Sequence, residues 1–145
     1  MLRCGDLHNV TFDGATFAKG ETKKASRATW AGKPVVALQP VSNTPNVQRR
    51  FAEIALYECG WLKQIWSDDH FAKLRVYVPH LYACCPHIML VEGLLVRPRP
   101  EHLPWDYRLR LARQVATFGS CLRSLGLVSC DFKLDRMPWE LEPSC

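Results

Sequence analysis

Glu58 is a carboxylate in a place where the pattern predicts apolar residues. Between residues 46 and 66, apolar side chains recur at the 3.6-residue spacing of an amphipathic helix, and Glu58 falls in the middle of that stripe, between Ala55 and Leu62. Burying a carboxylate is costly unless it meets a partner. We therefore expect an ion pair or polar contact between Glu58 and a neighbouring strand. The alternative is that Glu58 lies at the edge of the stripe and reaches water.

A second group of reactive side chains lies between His80 and His87. Cys84 and Cys85 stand between these histidines, and cysteine with histidine is a common ligand set of zinc. Adjacent cysteines do not easily point at one tetrahedral ion, so we interpret the group as turn and core residues, or as one disulfide. The seven cysteines include no C-x-x-C pair. No metal site is therefore predicted.

Composition bounds the protein class. The chain has 145 residues, 48% hydrophobic and 23% charged, with a net charge of +5, which is ordinary for one globular domain. The basic excess is spread along the chain, so nucleic-acid binding is not predicted.

No apolar run is long enough for a membrane span. No signal peptide is visible after Met1, which leaves a cytosolic protein or a missing N-terminus as interpretations. The triplet Asn9–Thr11 is an N-glycosylation acceptor if the chain enters the secretory pathway.

A small set of predicted elements must position these side chains. Apolar alternation, turn residues and helical spacing identify them. In chain order they are strands near 10–18, 24–30 and 34–39, a helix at 46–66, strands at 73–78 and 87–92, an extended proline-rich segment at 97–105 and a helix at about 104–125. This order favours an α+β fold, with one antiparallel sheet, over a βαβ sheet.

In this order of elements the chain resembles a protein kinase over nearly all of its length. The stretch "GKPVVALQPV" resembles the kinase strand that normally ends in the lysine that grips ATP, and it has Gln39 at that place. "YECGWLKQI" resembles the helix that carries the partner glutamate, which assigns that role to Glu58. "HIMLVEGLL" is similar to the fifth strand and the hinge, with Val91 as gatekeeper and Glu92 at the start of the hinge.

Two further segments carry the resemblance into the nucleotide-binding and catalytic loops. "AKGETKKASRATW" resembles the glycine-rich loop and second strand, which implies that Gly20, Lys23 and Lys24 contact the nucleotide. "LGLVSCDFKLDRM" resembles the catalytic loop, with Asp131 as the catalytic aspartate and Lys133 as the lysine two residues on. The family's cofactors are ATP and Mg²⁺.

The resemblance also implies domains and a location. It places a kinase-like N-lobe, a five-stranded antiparallel sheet plus one helix, at residues 1–96, and a hinge with a partial C-lobe at 97–145. "CGDLHNVTF" resembles the sequence of the vertebrate lonesome kinase group, and "VPHLYACCPHIMLVEGL" resembles that of the divergent protein kinase domain group. The glutamine near the end of "VVALQ" resembles the sequence of protein O-mannose kinase. These groups imply a secretory-pathway or extracellular location; the alternative is cytoplasmic.

The chain departs from the kinase pattern at positions that phosphate binding and phosphoryl transfer require. Its loop has one glycine, Gly20, where kinases use several so that the backbone can approach phosphates. Arg136 stands where a magnesium-binding asparagine is expected, and an arginine cannot ligate a cation. These departures favour a pseudokinase fragment with weak or no nucleotide binding and no phosphoryl transfer on its own. The alternatives are the N-terminal part of an active secretory-pathway kinase, and a small basic α+β binding module with no kinase ancestry. The predicted partner is a weakly bound nucleotide or a protein.

Gln39 leads to a specific geometric expectation. If it occupies the vacated lysine position, it should lie opposite Glu58. An amide can donate a hydrogen bond to that carboxylate but cannot neutralise it. We therefore expect Lys23 or Lys24 to reach Glu58 instead, because the strand after the glycine loop folds back over the same cleft.

Overall fold

The computed structural model describes residues 4–93 and 103–128, and within them the fold is α+β, as predicted. The strands are β1 (Val10–Lys19), β2 (Lys23–Trp30), β3 (Lys33–Pro40), β4 (Leu81–Cys85) and β5 (Ile88–Glu92); the helices are α1 (Pro45–Ser67) and α2 (Trp105–Ser124), and 3-10 helices cover Cys4–Asn9 and Asp69–Tyr77. Four of the five predicted strands and both long helices are confirmed, with ends shifted by at most one residue.

The five strands form one antiparallel sheet in the order β1-β2-β3-β5-β4. The connection from β2 to β3 is a two-residue turn, with Trp30 paired to Lys33 in the register. Both turn residues, Ala31 and Gly32, have positive φ angles, of 49° and 75°. This is the backbone of the hairpin turn that follows the right-handed twist of the strands, and it fixes the register of β3 against β2.

Each face of the sheet has its own apolar cluster, because successive side chains of a strand point to opposite faces. The face that carries α1 buries Val36, Phe51, Ala55, Cys59, Leu81, Met89 and Val91. The other face buries Ala28, Val35, Ala37, Ala83, Cys85, Ile88 and Leu90. The unbroken apolar run in β3 is thus explained by burial on both sides.

The predicted strand at 73–78 is wrong. This segment belongs to the 3-10 helix Asp69–Tyr77, and its buried side chains, Phe71, Leu74 and Tyr77, recur at every third residue, which is the period of a 3-10 helix. The helix begins after Asp68, whose carboxylate accepts a hydrogen bond from the His70 N–H at 2.9 Å. The strand lies further along, at β4, where buried and half-buried residues alternate. The apolar residues of "KLRVYV" alternate as in a strand, but the residues that are buried recur at every third position.

The chain divides into two compact units. One contains the sheet and α1 as far as Gln64; the other contains Ile65–Val78 and α2. In the second unit the Tyr77 ring packs against that of Phe118, with centroids 4.8 Å apart, and the Arg75 Nε donates a hydrogen bond to the Ile65 carbonyl at 2.9 Å. None of the described helices is long and apolar enough to cross a membrane.

Tyr77 allows a test of packing in the second unit. Its side chain is buried, and its hydroxyl has no hydrogen-bond partner among the described residues. We expect Tyr77→Phe to leave the free energy of unfolding unchanged at neutral pH, or to raise it by up to about 1 kcal/mol, because an unpaired buried hydroxyl is costly. Urea unfolding measures this. A loss of more than about 1 kcal/mol would show that the hydroxyl makes a stabilising contact.

The same residue predicts a difference between wild type and variant at alkaline pH. Burial raises the pKa of Tyr77 above its ordinary value. The folded protein therefore holds the phenol proton more tightly than the unfolded chain does. Below the pKa of tyrosine in the unfolded chain, near about pH 10, this proton leaves the free energy of unfolding unchanged. As the pH rises through that value toward the higher pKa of the folded protein, the free energy of unfolding falls. Unfolding curves across that range should show that Tyr77→Phe lacks this part of the alkaline loss.

Candidate functional site

The clearest charged contact of the sheet unit joins β2 to α1. The Lys23 Nζ donates to the Glu58 Oε1 in an ion pair. The two side chains remain 22% and 35% exposed, so water screens the pair and its contribution to stability is about 0–1 kcal/mol. The expectation that Glu58 meets a cation from a neighbouring strand is confirmed. The carboxylate also keeps part of its contact with water, at the edge of the apolar stripe.

The turn between β1 and β2 positions Lys23. The Gly20 N–H donates to the Lys23 carbonyl at 2.8 Å, and the Val41 N–H donates to the Thr22 carbonyl at 3.0 Å. The first bond closes the turn, and the second fixes the start of β2 against the end of β3, where Lys23 is paired with Pro40. Since Ala25, two residues on, packs against the α1 cluster, the alternation of β2 directs Lys23 to the same face, toward Glu58.

Gln39 does not lie opposite Glu58, and this expectation is wrong. Its register partner is Lys24, and paired residues of antiparallel strands share a face. Gln39 alternates with Leu38, which packs on the α1 side, so Gln39 and Lys24 belong to the other face. The β3 residue that faces α1 next to the end of the strand is Leu38. The amide therefore neither contacts Glu58 nor competes with Lys23 for it.

Gly20 is not required by the conformation of its turn. Its φ angle is outside the left-handed region, and a Cβ added there would meet its nearest neighbour, the Lys23 carbonyl oxygen, at an ordinary 3.6 Å. An alanine would therefore fit the turn. A need for glycine at this position would have to come from something outside the chain, such as a ligand that approaches the backbone.

The predicted gatekeeper, Val91, and the predicted start of the hinge, Glu92, lie at the far end of the sheet. Val91 is buried on the α1 face and is paired with Val36. Glu92 is exposed; its Oε2 accepts from the His80 N–H at 3.3 Å, and it is paired with Val35. Val35 and Pro40, which lies beside Lys23, are five residue steps apart in β3, which is about 16 Å along the strand. The structure thus places the two ends of the candidate site far apart on one sheet.

A disulfide holds α1 on the sheet one residue after Glu58. Cys59 is bonded to Cys84 of β4, with Cα atoms 6.3 Å apart, and the neighbouring Cys85 is bonded to Cys4. Adjacent strand residues point to opposite faces, so the two disulfides attach different layers to β4. The sequence interpretation allowed one disulfide in this segment, and the structure has two. Because α1 cannot slide along β4 while Cys59–Cys84 is intact, the disulfide restricts where Glu58 can lie.

Several predicted residues lie outside the described part of the chain. They are Asp131, Lys133 and Arg136, together with residues 97–102 of the extended segment. Among the described residues, no group of three or more histidine, cysteine or acidic side chains could hold a metal ion. Cys84 and Cys85 are both oxidised, so neither offers a thiolate to a metal.

Comparison with known proteins adds no family to this geometry. No known protein-family model matches the chain. No curated protein matches it at a significant level.

Two features of the site escaped the sequence interpretation. Leu38 rather than Gln39 is the residue of β3 on the α1 face, and strict alternation from Val36 would have indicated this. The link between Cys59 and Cys84 was not assigned, because seven cysteines allow many pairings.

Proposed function

We propose that the chain is a kinase-like domain fragment, with the sheet and α1 as its N-lobe. It binds an adenine nucleotide weakly and does not transfer a phosphoryl group on its own. The order of elements supports this proposal: two strands joined at Gly20, a third strand, a helix that carries Glu58, and a hairpin of two further strands. Kinases place the glycine-rich loop, the lysine strand and the glutamate helix in the same order along the chain.

The ion pair between Lys23 and Glu58 is the observation that carries the proposal. In kinases a lysine of the third strand pairs with the helix glutamate and neutralises nucleotide phosphates. In this chain the cation comes from the start of β2, three residues after Gly20. A lysine next to the turn is well placed to meet phosphates held beneath it. The third strand has no cation for this role, because Leu38 occupies the α1 face.

Competition for Lys23 explains why binding is expected to be weak. Phosphates and Glu58 are both anionic, and a single ammonium group has three donors to share between them. Kinases add backbone contacts from several glycines, whereas this turn has one. An extended ligand would also have to span about 16 Å of the sheet to touch Glu92 as well as Lys23. The proposal therefore gives the nucleotide few strong contacts.

Phosphoryl transfer is not expected from these 145 residues. The reaction needs a positioned base and metal ions between the phosphates. By resemblance Asp131 would supply the base and Lys133 the adjacent charge, but Arg136 replaces a magnesium ligand. We therefore derive no step that involves Mg²⁺. An active kinase would require ligands from additional chain, which is the alternative in which this sequence is the N-terminal part of a larger enzyme.

A location in the secretory pathway belongs to the same proposal. The two disulfides Cys4–Cys85 and Cys59–Cys84 support it, because such bonds persist in oxidising compartments and are rare in the cytosol. Cys121 is disulfide-bonded as well. The kinase groups that the sequence resembles share this location.

Thermal unfolding with nucleotides tests the proposed function. A ligand at about ten times its Kd adds about 1.4 kcal/mol to stability, so saturating ATP should raise the melting temperature by a few degrees. Radiolabelled ATP should leave no phosphate on the chain or on a generic protein acceptor. Melting temperatures that stay constant with ATP, ADP and AMP would contradict nucleotide binding and favour the basic binding module. Phosphate transfer would favour the active kinase.

A further inference from the structure

The N-terminal edge of the sheet carries a candidate modification site. The chain has three asparagines, Asn9, Asn43 and Asn46, and of these Asn9 alone begins an Asn-X-Ser/Thr triplet without proline, which ends at Thr11. Asn9 is the last residue of the first 3-10 helix, and its side chain is exposed. Thr11 is exposed at the start of β1. The acceptor triplet therefore lies on the surface of the folded protein.

We propose that Asn9 carries an N-linked glycan, which covers the free edge of β1. An independent observation points to the required compartment. Cys4, in the same 3-10 helix, is bonded to Cys85. Such disulfides form in the oxidising compartments of the secretory pathway, where N-glycans are also attached. The sequence triplet and the disulfide are separate chemical features of one short segment, and both require the same environment.

The edge of β1 shows what the glycan would do there. β1 is an outermost strand of the sheet, so one side of its backbone is not paired within the described sheet. Phe12 and Phe17 of this strand are 47% and 46% exposed. An unpaired edge with exposed aromatic side chains is a template for pairing with other chains. A bulky, soluble glycan at Asn9, next to that edge, would block such pairing.

The strand has some protection of its own, but only along part of its length. The register of β1 against β2 is interrupted between Phe12 and Thr16 and again between Thr16 and Ala18. Bulges of this kind twist an edge away from partners. The segment from Val10 to Phe12 is paired regularly with β2, and it directly follows Asn9. The glycan would therefore lie beside the regular part of the edge.

The modification step can be written with its atoms balanced. The Asn9 Nδ2 forms a bond to the anomeric carbon of an oligosaccharide, and the bond from that carbon to the donor's pyrophosphate oxygen breaks. The donor is a lipid-linked oligosaccharide pyrophosphate, supplied by the secretory compartment. The amide loses one proton, and the lipid pyrophosphate leaves. No electron transfer is involved.

Expression of the full chain behind a cleavable secretion signal in eukaryotic cells tests occupancy. We expect a slower band that peptide N-glycosidase removes, and peptide mass spectrometry should then find an aspartate at position 9. Asn9→Gln and Thr11→Ala should both lack the band, whereas Thr11→Ser should keep it. Unmodified wild-type protein with its disulfides formed would overturn the proposal, as would a glycan that survives Thr11→Ala.

Enzymatic removal of the glycan from the folded protein tests its role. We expect aggregation, followed by light scattering and an amyloid dye, to become at least severalfold faster. A Phe12→Ser variant should suppress that increase, because it removes an exposed aromatic side chain from the edge. An unchanged aggregation rate after glycan removal would overturn the shielding role. Both experiments rest on the proposed secretory-pathway location, but neither involves nucleotides, so their outcome does not depend on nucleotide binding at the kinase-like site.

Discussion

Replacing Cys59 and Cys84 together by alanine is expected to destabilise the sheet unit and to separate Glu58 from Lys23. The disulfide spans 25 residues of sequence, and the chain-entropy model gives about 3.5 kcal/mol for a loop of that size. The variant should lose roughly this amount of unfolding free energy in urea. Because Cys59 directly follows Glu58, the freed turn of α1 should also stop holding the carboxylate on the lysine.

The second disulfide provides a matched control. Replacing Cys4 and Cys85 by alanine opens a loop of 81 residues, so it should cost more, about 4.5 kcal/mol in the same model. It lies on the other side of β4, however, and should leave the ion pair intact. The state of the ion pair is measured as the rate at which an amine-reactive acylating reagent modifies Lys23. Peptide mass spectrometry gives this rate relative to that of Lys24 in the same sample.

The two variants should separate stability from positioning. We expect faster acylation of Lys23 in the Cys59/Cys84 variant, although it is the less destabilised of the two. In the Cys4/Cys85 variant the rate should match wild type under conditions where the protein stays folded. Equal acylation rates in both variants would mean that the Cys59–Cys84 disulfide has only a general stabilising role.

Local patterns were sufficient to predict most of the fold. The spacing of apolar residues in α1 and α2, and the turn at Ala31-Gly32, are properties of neighbouring residues, and the elements they predict are confirmed. The strand prediction for residues 73–78 was wrong because a short alternating pattern fits both a strand and a 3-10 helix with every third residue buried. Deciding between them requires knowledge of what each side chain packs against, which is tertiary information.

The candidate site shows the same division. A carboxylate on an apolar stripe was enough to predict an ion pair or polar contact for Glu58, with exposure at the edge of the stripe as the alternative, because the cost of burying it is a local property. The partner could be narrowed to Lys23 or Lys24, and the face of β2 decides between them. Gln39 was misplaced because its role was transferred from a family pattern without following the alternation from Val36 along β3. Disulfide pairing depends on distances across the fold and could not be read from spacing.

Lys23→Met is expected to abolish saturable nucleotide binding, or to weaken it at least tenfold. Its ammonium group is the cation that phosphates would meet next to the turn at Gly20. Lys24→Met is the matched control, since it removes the same charge one residue away but on the face shared with Gln39. Glu58→Gln should act in the opposite direction and strengthen binding, because it removes the competing anion. Its effect on stability should be below about 1 kcal/mol.

A calorimetric or fluorescence titration of ATP into wild type, Lys23→Met and Lys24→Met tests the central claim most directly, that Lys23 paired with Glu58 is the phosphate-binding cation of a kinase-like site. The ionic strength must be equal in all three titrations so that screening is the same. Removing one positive charge then weakens the general attraction of the protein for ATP equally in both variants. The predicted result is weak, saturable binding by wild type and Lys24→Met, and binding by Lys23→Met that is absent or at least tenfold weaker. Equal binding by both variants, or no saturable binding by wild type, would contradict the account.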